Sequence, residues 1–173
     1  MLEFKKESER GFMNSFQFTS LNLKRIGADN KEHFNVLTHL NLDKKVHAYI
    51  PQKIQIKFGC LQSEDIYYSQ FIVYDGEKPI GYLETSPLKR NKSFSFNYAV
   101  LPNCRHKGYG KKIVEETTRY VFDKGVNSVL LCVLPKNKYS IKAVLHAGFS
   151  ILDPVEHVYV KKKEETRYLV NRG

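Results

Sequence analysis

The stretch "NYAVLPNCRHKGYGKKIVEE", residues 97–116, joins a strand-like segment to a helix-like one through a short basic turn. The turn, "RHKGYGKK" (105–112), holds Arg105, Lys107, Lys111 and Lys112, with Gly108 and Gly110 two positions apart. Beyond it, Ile113, Val114, Thr117, Tyr120 and Val121 recur on one face of a helix over 109–124, and Gly125 is a natural stop. A glycine at a helix entrance lets backbone N–H groups approach an anion, and the helix end adds about half a positive charge. The turn therefore reads as a phosphate or diphosphate site.

Two common phosphate loops fail on particular residues. Neither Gly108 nor Gly110 stands at the GxxxxGK[ST] spacing from another glycine. The dinucleotide fingerprint GxGxxG has its first two glycines in Gly108 and Gly110, but Ile113 stands at the third position. The next strand-like run ends "VLP", without a ribose-binding acid.

Upstream, "SFQFTSL" (15–21) reads as a strand, and "GADNKEHFNVLTHLN" (27–41) as a helix capped by Asp29 or Asn30 with Phe34, Val36, Leu37 and Leu40 inward. "DKKVHAYI" reads as a second short helix. "IYYSQFIVY" and "PIGYLET" are strands joined at the Asp-Gly of "DGEK", and "SFSFNYAV" (93–100) is a further single strand. Downstream, the apolar run "SVLLCVL" (128–134) predicts a strand covered on both faces, parallel to 93–100 in a right-handed βαβ unit. "NKYSIKAVLHAGF" predicts a helix from the Asn137 cap to Gly148. "FSILDPVEHVYV" and "TRYLV" read as closing strands, with "KKKEE" turning between them. The architecture is α+β: a mostly antiparallel sheet with one parallel pair.

The chain of 173 residues suits one domain, 1–173, with residues 1–12 expected to be loosely held. No apolar run approaches the ~18 residues of a membrane span, and the N-terminus lacks a signal-peptide core. Three scattered cysteines and six histidines without ligand spacing argue for a cytoplasmic protein with free thiols and no metal. The net charge of +10 attracts polyanions: nucleic acid, anionic lipid or a phosphorylated small molecule. Eleven Tyr and eleven Phe could stack bases, but they fall mainly in strand patterns that a core would use.

The motif R-x-x-G-x-G, then a helix, a buried strand, Asn137-x-x-Ser140 and Gly148-Phe149, resembles the GNAT superfamily of N-acetyltransferases over about residues 80–150. The resemblance implies a GNAT-type fold with a splayed parallel strand pair and about four helices. It implies an acetyl-CoA-dependent N-acetyltransferase acting on a primary amine of a small molecule, peptide or protein, by direct attack in a ternary complex. Backbone groups of Val100 and its neighbours, Tyr98 among them, would pair with the pantetheine arm. Amides of Arg105, His106, Lys107, Gly108, Tyr109, Gly110 and Lys111 would cradle the diphosphate, with Asn137 and Ser140 on the cofactor's other side. A backbone N–H near Val100 would polarise the carbonyl.

Many members place a tyrosine seven residues after the motif asparagine to protonate the leaving sulfur; here that position is Val144. Thiolate departure without an acid, or a phenol from Tyr159 or Tyr168, would answer for it. Glu84 is the candidate base, directly or through water, and Cys104 beside the turn is a candidate thiolate. The first helices and the loops near 45–65 and 155–165 would form the acceptor site, and the basic surface disfavours cationic acceptors. The protein would act as a monomer or homodimer. A basic nucleic-acid binder, a CoA-binding regulatory module without catalysis, and transfer of another acyl group are the alternatives.

Overall fold

The computed structural model describes residues 15–50, 52–57, 60 and 65–164. The expectations for residues 1–12, "TRYLV", Tyr168 and the end of "KKKEE" lie outside the described residues.

One five-stranded sheet runs in the order β1 (Ser15–Gln17), β2 (Asn22–Arg25), β3 (Gln70–Asp75), β4 (Lys78–Thr85) and β6 (Phe96–Val100), antiparallel throughout. A four-stranded sheet runs β5 (Ser93–Phe94), β7 (Ser128–Cys132), β9 (Val158–Lys162) and β8 (Ser150–Asp153); β5 and β7 are its parallel pair. The α+β expectation with one parallel pair is borne out. So are the helices α1 (Lys31–Leu42), α2 (Lys44–Tyr49), α3 (Tyr109–Asp123) and α4 (Lys138–His146). Asn30 caps α1, Asp43 caps α2 and Asn137 caps α4, each through its side-chain oxygen.

Several local expectations are corrected. Residues 15–21 are not one strand: β1 ends at Gln17 and the chain turns back into β2. Residues 93–100 divide at Ser95, and the halves join different sheets. "FSILDPVEHVYV" is a hairpin, β8 to β9. Phe34 is 50% exposed, because the inward face of α1 runs through His33, Val36, Leu37 and Leu40. On β7 only Val129 and Leu131 are buried; Leu130 is half-buried and Cys132 exposed, so one face of this strand is incompletely covered.

Two long-range features fix the sheets in place. Glu116 on α3 reaches the β1–β2 turn, accepting the Ser20 N–H at 2.5 Å, the Ser20 hydroxyl at 2.6 Å and the Leu21 N–H at 3.2 Å. This gives a buried carboxylate the hydrogen bonds its burial demands. Gly81 on β4 is paired with Val100, and a Cβ built on it would collide with the Ala99 carbonyl oxygen. Beside it, Ile80 is an extra residue in β4 between the pairs Val73–Gly81 and Tyr74–Pro79, a β-bulge.

Candidate active site

The division at Ser95 makes the site. Phe94 pairs with Val129 in the parallel ladder, but β6 then turns to β4 and becomes the last strand of its sheet. Beyond that edge β7 diverges, and a cleft of about 600 Å³ opens between them. That is a common volume for a small-molecule site. An unpaired strand edge offers backbone donors and acceptors to an extended ligand.

α3 begins at the mouth of this cleft. Gly108, the N-cap, has φ +82°, His106 has φ +61°, and no side chain caps the helix. The first helical bond runs from the Lys112 N–H to the Gly108 carbonyl at 3.1 Å, which leaves the amides of Tyr109, Gly110 and Lys111 outside the ladder. Gly110 packs on Tyr98: a Cβ there would lie 3.5 Å from the Tyr98 ring.

The structure gathers Tyr98, Val100, Arg105, His106, Gly108, Tyr109, Gly110, Lys111, Asn137 and Ser140 around the cleft. Lys107, Glu84 and Tyr159 do not line it. The Tyr98 and Ser140 hydroxyls are 2.7 Å apart, so β6 and α4 meet across the cleft floor. Burial raises the Tyr98 phenol, and the Ser140 hydrogen bond offsets part of this. Asn137 Oδ1 accepts the Ser140 N–H at 3.1 Å, so its role as a helix cap is realised. His106 meets the exposed Tyr139 edge-on at 5.2 Å between ring centres. Val144 is fully buried, while Ala143 and His146 face the cleft.

Glu84 stands in register between Gln70 on β3 and Asn97 on β6, and Asn97 lines the cleft. Glu84 is ion-paired with Lys57 and accepts the Tyr82 hydroxyl at 2.8 Å. The hydrogen bond that Lys57 donates to Glu84 raises Lys57; burial and then the charge of Glu84 raise Tyr82. Tyr159 is buried on β9, opposite Leu131 and Ile151. Cys104 is fully buried, its thiol 3.4 Å from Asn103 Oδ1.

Sequence reasoning assigned the first helices and the loop near 45–65 to the acceptor site but named no residue of the cleft's second wall. Lys45, Val46, Tyr49 and Ile50, on and just after α2, line the cleft, as do Cys132, Lys142 and His146. It also missed Asp43, which holds Arg105 through two contacts of 3.2 Å. Burial opposes the ionised Asp43, but Arg105 and the amides of Val46 and Lys45 outweigh it and hold the carboxyl below its ordinary range. The cap signal of Asp43 was readable; its pairing 62 residues away was not.

Among the described residues no group of His, Cys, Asp or Glu could hold a metal, and no helix is long and apolar enough to cross a membrane.

An uncapped helix N-terminus at the opening between two diverging strands gives this α+β protein a cleft with room for an extended ligand. Residues 34–149 match the acetyltransferase (GNAT) family, and the chain belongs to that family. No curated protein matches it by sequence. Among solved structures it is similar to an acetyltransferase (GNAT family) from Bacillus anthracis, with TM-score 0.70 and 16% identity over 87% of this chain and 99% of that one. It is also similar to spermidine N-acetyltransferase from Vibrio cholerae, solved with CoA and spermine (0.61; 17%; 83% and 94%). A third is the ribosomal L7/L12 alpha-N-protein acetyltransferase RimL, in complex with coenzyme A (0.67; 14%; 83% and 94%).

Proposed function

We propose that this protein moves the acetyl group of acetyl-CoA to a primary amine of a small molecule, peptide or protein, by direct attack in a ternary complex. The observation that carries this reading is the uncapped start of α3 at the splay of β6 and β7, in a chain of the acetyltransferase family. The amides of residues 105–111 receive the diphosphate, and the open edge of β6 pairs with the pantetheine arm along Val100 and Tyr98. Asn137 and Ser140 bound the arm from α4. Strand residues rise by about 3.3 Å each. An arm running back from Val100 therefore brings its thioester toward Asn97 and Cys132, which line the two sides of the cleft.

There a neutral amine attacks the thioester carbonyl, polarised by a main-chain N–H of β6. The C–N bond forms, the C–S bond breaks, and the sulfur carries the electron pair away. Glu84, one residue across the ladder from Asn97, accepts the ammonium proton through a water relay. A thiol with a pKa of about 8.5 leaves as thiolate without much help. That fits an α4 with a buried valine at 144 and a Tyr159 enclosed on β9.

Thermal unfolding tests the reading. Acetyl-CoA at 100 times its Kd is expected to stabilise the fold by roughly 2.7 kcal/mol. An amine panel read by free-thiol release then finds the acceptor. Stabilisation by an oligonucleotide and none by acetyl-CoA would reverse the conclusion in favour of nucleic-acid binding; acetyl-CoA binding without thiol release from any amine would favour a regulatory module.

A further inference from the structure

The diphosphate turn is held by carboxylates from two other parts of the fold. On one side the Tyr109 hydroxyl donates to Asp75 Oδ2 at 2.6 Å, at the β3–β4 hairpin. On the other, Arg105 Nη1 meets Asp43 Oδ2 and Nη2 meets Oδ1, each at 3.2 Å. Asp43 has further duties. Its Oδ1 accepts the Lys45 and Val46 N–H groups at 2.9 Å, and its own N–H donates to the Leu40 carbonyl at 3.2 Å. One residue thus joins the end of α1, the start of α2 and the first residue of the turn. α2 in turn supplies Val46 and Tyr49 to the cleft wall.

A guanidinium forked onto a carboxylate has two of its three nitrogens engaged. We infer that Arg105 and Asp43 are positioning residues: their pair sets the diphosphate turn against the α1–α2 junction, so that backbone amides rather than the Arg105 side chain hold the diphosphate, and donor binding and the placement of α2 are coupled. The inference rests on the coenzyme A reading above. It differs in sign from the obvious alternative. Were the guanidinium a phosphate ligand, Asp43 would compete for it, and removing Asp43 would tighten binding. With the pair as a positioning device, removing either partner loosens the turn.

Asp43→Ser keeps a good helix cap but is too short to reach Arg105. Arg105→Lys keeps the charge and loses the fork. Calorimetric titration with coenzyme A, on wild type, both single variants and the double variant, reads the effect. Pantetheine, which has the same arm and thiol but no diphosphate, is titrated alongside. Each single variant is expected to lose on the order of tenfold in coenzyme A affinity, within the usual span of coupling between sites. The double variant loses no more than the worse single, because both remove one shared interaction. The ratio of coenzyme A to pantetheine dissociation constants rises in all three.

Tighter or unchanged coenzyme A binding in Asp43→Ser overturns the inference. So does an equal loss for both ligands, the mark of a merely structural role. Should Asp43→Ser melt below the titration temperature, Asp43→Asn, which keeps the cap and the length but not the charge, carries the same test. Wild-type protein that binds no coenzyme A overturns the proposed function, and this inference with it.

Discussion

Tyr98 on β6 and Ser140 on α4 bring their hydroxyls to 2.7 Å, and the Tyr98 ring lies under Gly110 at the start of α3. Strand edge, uncapped helix end and second helix thus converge on one phenol. The cleft floor is a closed structure before any ligand arrives, which is the preorganisation that makes an extended ligand's binding less costly in ordering.

Gly108 tests the turn directly. Nothing lies within 4 Å of a Cβ built there, so a larger residue meets no wall; its difficulty is the φ of +82°. Gly108→Val is expected to cost about 1–2 kcal/mol of stability in denaturant unfolding, the usual penalty of left-handed backbone for a side-chain-bearing residue. Coenzyme A affinity should fall by tenfold or more as the amides swing away. Undiminished affinity would remove the turn from the site.

Glu84 is expected to matter for rate. Glu84→Gln should lower kcat/KM at neutral pH by on the order of tenfold or more, with the acid limb of the pH–rate profile altered. The same profile in the variant as in wild type would show that another group takes the proton.

Glu116 should matter for the fold. Its carboxylate takes three hydrogen bonds from Ser20 and Leu21 in a buried setting, and truncation leaves those donors without partners. Glu116→Ala is predicted to lower the unfolding free energy by on the order of 2–4 kcal/mol in urea. A loss below about 0.5 kcal/mol, the range of an ordinary surface change, would mean that water replaces the carboxylate.

His33 gives a pH signature. It is buried on α1, its Nδ1 accepts the Gly27 N–H at 3.2 Å, and its Nε2 has no partner. Burial pushes its pKa below the usual 6.5; Glu32 opposes the shift and Lys24 adds to it. Below pH 6.5 the unfolded chain therefore binds the proton first. Stability is full above that pH and declines as pH falls toward the folded-state pKa. Asp43, also lowered, acts in the same direction but only below its ordinary value of 3.8. Unfolding free energies between pH 7 and 5 should fall in wild type and stay flatter in His33→Leu. Equal slopes would assign the effect elsewhere.

What could be read from the chain was local. The capped helices at Asn30, Asp43 and Asn137, the hairpin at Gly76 and the glycine turn each carry their cause within a few residues. The break at Ser95 does not. Phe94, Phe96 and Tyr98 keep strand alternation straight through it, and contact along one aromatic row. Only the identity of the hydrogen-bonding partner changes, from β7 to β4, and that is decided by chain far away. The run 128–134 was misjudged for the same reason: an apolar face turned toward a cleft looks, in sequence, like one turned toward a core. The ties from Arg105 to Asp43 and from Glu116 to Ser20 span 62 and 96 positions, beyond any periodic pattern.

Gly81 reaches further than its size suggests. Because it has no side chain, the Ala99–Val100 segment can nestle directly against β4. Any bulkier residue would shoulder that segment sideways, and the space on its far side is the channel itself. The bore of that channel is thus gauged by a missing methyl group on a strand that does not itself line it.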